Sequence, residues 1–503
     1  MAGLGASPGD VVINGSIDVY NQCDAKDCNA LDNFWRSLSN VTINVAGGTG
    51  CQTNTEFWAV SQAAPMRRVQ INGGVSLMDY CSGGSAFSSG GYIADSAFTG
   101  GTIVNGSQQQ FLVRNSSIDG WSNGVWNQVF SGVVGAPAQT FGQPGANPYT
   151  TVPTSPITQE EPFLYSHNGA LRVFVPAVRH DSTGTSWAGG ATAGSSLPIS
   201  RFFIATPHTP VLAINLALAL GKNLLLTPGV YNLNQTIHVL RPRTIVLGLG
   251  FPTLVPQHGI DAMQVATVPG VKLSGMIFDA GPQTSRALLR VGTSRGFRFP
   301  SRASEPVLVQ DVFFRIGGAT AGRAIDSLVV NSSDVILDDV WAWRADHGNG
   351  VGWTQNTART GVVVNGDNVT AYGLFVEHYQ GYEVVWNGQH GTDIFFQNEM
   401  PYDVPSQAAW QANRTTHGFP AFYVTPRVRS FQGYGLGSYS NFNQGVEIHA
   451  SESFAVPRTP GVQLRDVLTR FLNGSGGIDS VVNGIGGSVT ADNPGPANVI
   501  SYP

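Results

Sequence analysis

Two acidic residues, Glu377 and Glu399, stand 22 positions apart, and each closes a short apolar run, LFVEH and IFFQNE. Strand-like runs recurring every twenty to thirty residues or so are the mark of a parallel-strand solenoid, in which each coil adds one strand to a stack. Neighbouring strands lie about 4.8 Å apart. If both runs occupy the same side of the coil, the two carboxyls stack one rung apart. They cannot then both ionise easily, so one keeps its proton near neutral pH. A protonated carboxylic acid among aromatic and polar neighbours (Tyr379, Trp386, Tyr402, Trp410) suits general-acid cleavage of a glycosidic bond. An inverting glycosidase separates acid and base by roughly 6.5–9.5 Å to seat a water. One rung is too short for that, so Glu377 is expected to raise the proton affinity of Glu399 rather than act as the base. The competing expectation is that Glu377 pairs with an arginine on a neighbouring coil.

Such a pair needs a repeating scaffold, and the chain supplies one twice. Short alternating runs begin at 41 (VTINV), 68 (RVQING), 91 (GYIADSAF) and 109 (QQFLVRNSSIDGW), separated by turns rich in Gly, Asn and Ser. From Gly135 to Pro162 proline is dense. Proline has no place inside a sheet, so this stretch reads as an extended connector, followed by a hairpin in FLYSHNGALRVFVPAV. His208–Lys222 (HTPVLAINLALALGK) reads as an amphipathic helix capping the open end of a second solenoid. Rungs then resume at 244, 271, 307, 335, 369, 392 and 462, while Val404–Gly461 reads as a long aromatic insertion packing over the cleft. The expected fold is all-β, with two right-handed parallel β-helices. The first spans 1–134, a linker and hairpin span 135–207, and the second β-helix with its capping helix spans 208–503. No capping helix precedes Asn40, so the first β-helix is expected to lack its natural start.

Composition narrows the function classes. At 503 residues the chain exceeds one ordinary core, and 62 Gly with 12% charged residues fit a turn-rich β-protein. A net charge of −5 from only 27 Lys and Arg leaves no basic stripe, which excludes nucleic acid as the main partner. The Trp, Tyr and Phe residues offer flat faces on which sugars stack, although most are expected in the core. All four cysteines fall in the first 81 residues. Cys23 and Cys28 enclose a short Asp/Lys loop and could bridge locally; Cys51 and Cys81 could meet only if their coils are neighbours. No CxxC pair is present, so neither zinc nor another metal or cofactor is expected. Val211–Leu226 is interrupted by Lys222 and too short for a bilayer, so no membrane partner is expected. MAGLGASPGD has no basic or apolar leader region. The chain is therefore read as a secreted, extracellular enzyme whose leader is absent from this sequence.

Longer motifs carry a resemblance. NFWRSLSNVTINV at 33–45, FWAVSQAAPMRRVQING at 57–73, SGGYIADSAFTGG at 89–101, QQQFLVRNSS at 108–117, LFVEHYQGYEVVWNG at 374–388 and FFQNEMPYDVPSQAAW at 395–410 resemble glycoside hydrolase family 55, the exo-acting β-1,3-glucanases or laminarinases. The resemblance implies two β-helices side by side in a rib-cage, with the substrate cleft between them. It also implies inversion at the anomeric carbon, and release of glucose or short oligosaccharides from the non-reducing end. It assigns Glu399 as general acid and Glu377 as the assisting carboxylate. Trp343, Asp346 and Tyr402 become sugar contacts, and Gln62 and Ser89 hold the attacking water, with Gln110 a further candidate. Asp346 and His347 could instead form a turn, and Trp341 and Trp343 are expected to point one inward and one outward. The partner is then a β-1,3-glucan, and the enzyme a monomer. Two alternatives stay open. A pectate-type lyase would need Ca²⁺ and a basic residue, for which no acidic cluster appears; a non-catalytic β-helix would only bind glycans.

Overall fold

A computed structural model describes residues 1–23, 28–83, 87–293 and 300–503; the loop between Cys23 and Cys28 lies outside them. The chain forms two compact units, Met1–Ser200 and Arg201–Pro503. In the first, parallel strands stack in the order Val12–Gly15, Leu38–Val45, Pro65–Asn72, Gly91–Ala94, Gln110–Arg114, Asn127–Ser131 and Tyr149–Val152. A second sheet runs Thr55–Phe57, Gly74–Ser76, Ile103–Val104 and Trp121–Ser122. Alternate residues of both, among them Val41, Ile43, Val69, Ile71, Val75 and Ile103, bury a common core. Cys23 is bonded to Cys28, and Cys51 to Cys81.

The proline-rich stretch is not simply a connector. Tyr149–Val152 adds a parallel rung beside Asn127–Ser131, and Ser155–Gln159 pairs antiparallel with Val178–Ser182. Proline is accommodated at the margins: Pro148 and Pro153 flank the rung, and Pro156 sits in a two-stranded edge pairing where a missing N–H costs little. Phe163–His167 and Ala170–Pro176 form the hairpin.

The second unit is the longer solenoid. Its main sheet runs from Phe202–Ala205 through Lys272–Asp279, Val307–Ile316, Val335–Arg344, Val369–Glu377, Gly391–Glu399 and Phe431–Phe442 to Val462–Gly474. A second parallel sheet from Ile237–Val239 to Phe454–Ala455 faces it across the core. Each long strand bends once, at a residue with left-handed backbone in the same column: Gly275, Asp311, Asp339, Gly373, Phe395, Gly435 and Asp466, with φ between 49° and 74°. Gly and Asp tolerate that conformation; Phe395, at φ 74°, is strained. Beyond the bend, Val340 and Ala342, Leu374 and Val376, and Phe396 enter the core. The alternate residues are turned to the outer face.

Two expectations are corrected. Val404–Gly461 is not an insertion, since Phe422–Val424 and Phe431–Phe442 are rungs of the two sheets. Glycines in FQGYGLGSYSNF hide the alternation of this strand, and only the small hairpin 411–417 departs from the coil. The helix is Val211–Ala219, and it is not amphipathic: Val211, Ile214 and Leu218 are buried, but Leu212 and Leu216 are exposed. It is held on the coil by Asn215, which donates to the Thr236 carbonyl (2.9 Å) and accepts from the His238 amide (2.8 Å).

A core position of the second unit carries an acid. Asp393 stands in register between Ala371 and Gly433, in the layer of Leu337 and Leu464, fully buried and with neither carboxyl oxygen hydrogen-bonded. Burial holds its carboxyl well above the usual range. An acid raised in the folded state stabilises the fold below its unfolded pKa and loses that contribution as pH rises through the folded value, at up to about 1.4 kcal/mol per pH unit. Asp393→Asn should therefore melt higher than wild type at pH 8, with the difference shrinking toward pH 4 in thermal unfolding scans.

Candidate active site

Downstream of the bend, the strands Val335–Arg344, Val369–Glu377 and Gly391–Glu399 present one outer column. Trp343 pairs in register with Glu377, and the 22-residue offset that joins Phe375 to Gln397 brings Glu399 to the next rung. Tyr439 follows on the rung after Glu399. On the other side of Trp343, Arg315 pairs with Asp279 (2.6 Å). Glu377 and Glu399 thus stand one strand spacing apart, about 4.8 Å.

Each carboxyl has its own donor. Trp341 Nε1 donates to Glu377 Oε2 at 2.8 Å, and the Tyr402 hydroxyl donates to Glu399 Oε2. The donor at Glu377 Oε2 is thus an indole, where the competing expectation placed an arginine. Burial raises Glu377 well above the usual carboxyl range, the charge of Glu399 adds to it, and the bonds from Trp341 and Gln397 pull the other way. Burial also raises Glu399, with His378 and the Tyr402 hydroxyl opposing. Standing one rung apart, the two titrate together and not independently. This departs from the expected division, in which charge repulsion from Glu377 was the cause at Glu399: at both residues burial comes first.

The neighbours form a compact polar ring. The side chain of His378, 3% exposed, points Nε2 toward Asp346 Oδ1 (3.9 Å) and Glu399 Oε2 (4.0 Å). Its Nδ1 lies 3.1 Å from the Met400 carbonyl, and its ring meets Tyr402 edge-on. Asp346 accepts from Trp343 Nε1 (3.3 Å) and lies 3.0 Å from His347 Nδ1. Burial alone would raise Asp346, but the bond from His347 and the fields of both histidines outweigh it and hold the carboxyl well below the usual range. Asp346 and His347 therefore join the ring of the site as well as ending a strand. Buried Arg344 braces the turn. It donates to the His378 carbonyl (3.1 Å) and the Asn356 carbonyl (2.8 Å), and it forms two bonds to Asp403 (2.9 and 2.7 Å).

Trp341 and Trp343 do not point to opposite sides. They stack at 4.9 Å and 16°, since residues two apart on a strand share a face. Of the four residues expected around the acid, only Tyr402 bonds to it; Tyr379, Trp386 and Trp410 belong to the core. In the first unit, Ser89 Oγ donates to Gln110 Oε1 (2.5 Å) and Ser89 N to Ser61 Oγ (2.9 Å). Gly90, at φ 90°, lies so close to Gln62 that a Cβ there would meet its Cγ at 2.9 Å. Gln110 Nε2 is buried without a partner. Sequence reasoning missed His378, Arg344 with Asp403, Tyr439 and the buried Glu383, whose carboxyl accepts the Tyr379 amide at 3.1 Å. Only His378, adjacent to Glu377 in VEHYQ, carried a signal. No group of residues able to hold a metal ion occurs among the described residues.

Comparisons with known proteins agree on one family. The LAM55 pectate lyase-like domain matches residues 202–399. An exo-β-1,3-glucanase of Streptomyces sp. (strain SirexAA-E / ActE) is 46% identical over 505 residues, covering all of this chain and 80% of that protein. The structure of sacteLam55A from Streptomyces sp. SirexAA-E superposes with a TM-score of 0.93 at 46% identity, over all of this chain and 88% of the other. A variant of sacteLam55A in complex with glucose superposes at 0.91 and 45% identity, with the same coverage. Arg344→Met, which strips the His378 carbonyl and Asp403 of their shared donor, should cost about 3 kcal/mol of stability. Denaturant unfolding of the variant beside wild type measures it.

Proposed function

The chain belongs to glycoside hydrolase family 55 and is an exo-β-1,3-glucanase; we propose that it hydrolyses laminarin-type β-1,3-glucan from the non-reducing end by inversion, with Glu399 as general acid. The observation that carries this reading is the buried carboxyl pair on adjacent rungs, each member with its own donor and each with its proton affinity raised by burial. Glu399, with 16% of its side chain exposed, is the more accessible of the two. Tyr402 and His378 both face Oε2, which leaves Oε1 to the glycosidic oxygen. Proton transfer to that oxygen lets the C1–O bond break, with the electron pair leaving on the departing sugar.

Glu377 supports the acid and does not attack. A spacing of about 5 Å is that of a retaining pair, but Glu377 is 3% exposed, lies beside its partner instead of across a sugar ring, and is bonded to Trp341. The base is replaced by neutral groups that orient the water, for which Gln62 and Ser89 are the candidates and Gln110, bonded to Ser89, their support. The paired indoles of Trp341 and Trp343 and the ionised Asp346 suit a sugar subsite, the first by stacking and the second by accepting hydroxyl protons. The reading extends to a monomer that works outside the cell, which two disulfides suit.

NMR of fresh hydrolysate from laminarin should show the α-anomer first; an initial β-anomer would contradict inversion. Glu399→Gln should lose at least about a hundredfold in kcat on laminarin. Glu377→Gln should lose about tenfold and move the basic limb of the pH profile downward, since Glu399 then holds its proton alone and less tightly. Equal, pH-independent loss in both variants would refute the division of roles.

A further inference from the structure

On the reading of Glu399 as general acid, we propose that His378 is a positioning residue of the reaction: its imidazolium, fixed between Asp346 and Glu399, offsets the charge that Glu399 acquires as it gives up its proton. The geometry is specific. His378 sits at φ 67°, in the left-handed region uncommon for residues other than glycine, and its amide donates to the Glu399 carbonyl at 2.8 Å. Its carbonyl is held by Arg344 and its Nδ1 lies against the Met400 carbonyl. A carbonyl only accepts, so Nδ1 carries a hydrogen and donates to it. The ring is then locked with Nε2 turned to two carboxylates at almost equal range, 3.9 Å to Asp346 and 4.0 Å to Glu399.

The surrounding charges explain why such a group is required. Glu399 faces Glu377 on its own sheet, Tyr402 after its strand and Asp346 from the strand end beyond Trp343; Glu383 stands behind Glu377. Burial and the charge of Asp346 make Glu399 hold its proton, with the Tyr402 hydroxyl opposing. Arg344 is committed to Asp403 and to backbone carbonyls, His347 to Asp346, and Arg470, two rungs along the same column, donates to the Gly495 carbonyl. His378 is the group whose positive charge would oppose them at Oε2. Asp346, kept ionised, stands on the other side of the ring as its counter-ion. During cleavage the proton passes from Glu399 to the glycosidic oxygen and His378 transfers none. It stabilises the carboxylate left behind, and so makes the same acid a better donor.

The test compares wild type with His378→Asn, whose side-chain amide can still donate to the Met400 carbonyl but cannot carry charge, and with His378→Ala. Rates are measured across pH on laminarin and on an aryl β-glucoside with a strongly acidic phenol, which leaves with little acid assistance. His378→Asn should move the basic limb of kcat/KM up by about one pH unit. It should lower kcat on laminarin about tenfold with KM little changed, and spare the aryl glucoside. An unmoved limb, or equal loss on both substrates in a variant whose circular dichroism and melting match wild type, would overturn the proposal. Glu399→Gln on the same two substrates separates this from the parent reading: if that variant keeps laminarin activity, Glu399 is not the acid, whatever His378 does.

Discussion

The site depends on the way each coil of the second solenoid is bent. A long strand that stayed straight would alternate its side chains across one sheet and carry its last residues past the core. One left-handed residue in each long rung turns the remaining four to eight onto a new face, and because these residues form a column, the new face is continuous. Parallel pairing then repeats identical positions at about one strand spacing. Arg315, Trp343, Glu377, Glu399 and Tyr439 occupy that column because five coils are bent at the same level. The one aromatic residue at a bend, Phe395, precedes Glu399 by four positions. Its strain is sustained by packing against Phe375 and by the ladder on both sides.

Stacking two acids in a buried column is costly, and the surroundings show how the cost is met. Each carboxyl takes a strong donor, from Trp341 or from Tyr402, and burial raises the proton affinity of both. A little further out the charges alternate: His378 beside Glu399, Asp346 beside His378, His347 beside Asp346. Arg344 does not neutralise the pair. It is spent on Asp403 and on the carbonyls that shape the turn after Glu377. The acid pair is thereby left with a raised proton affinity, which a general acid working near neutral pH requires.

Much of this was legible in the residues. Val and Ile at alternating positions marked most rungs, the 22-residue interval between two similar runs placed the glutamates one coil apart, and the motifs around them pointed to a family that full-length identity then established. The errors have particular causes. Phe431–Phe442 reads as part of an insertion because glycine stands at a core position (Gly433), at the bend (Gly435) and at an outer position (Gly437), which erases its alternation. Tyr149–Val152 was hidden among prolines that only flank it, and the helix at Val211–Ala219 was read as two-faced although leucines lie on its solvent side as well. The tryptophans at 341 and 343 were assigned opposite directions against the period-two rule itself.

What the chain alone determined was periodic: the coil length, the alternation that fills the core, and hence which two acids become neighbours, since parallel pairing converts a sequence interval into a distance. What it could not determine was the surroundings of those acids. His378, Arg344 and Asp403 are brought to them by a turn whose path rests on a single left-handed residue, and Trp341 reaches Glu377 diagonally on the neighbouring rung. Burial, the largest influence on both carboxyls, is a property of the closed coil with everything packed on it. Pairing is local and repeats, so it leaves a pattern in the sequence; desolvation sums over residues remote in the chain and leaves none.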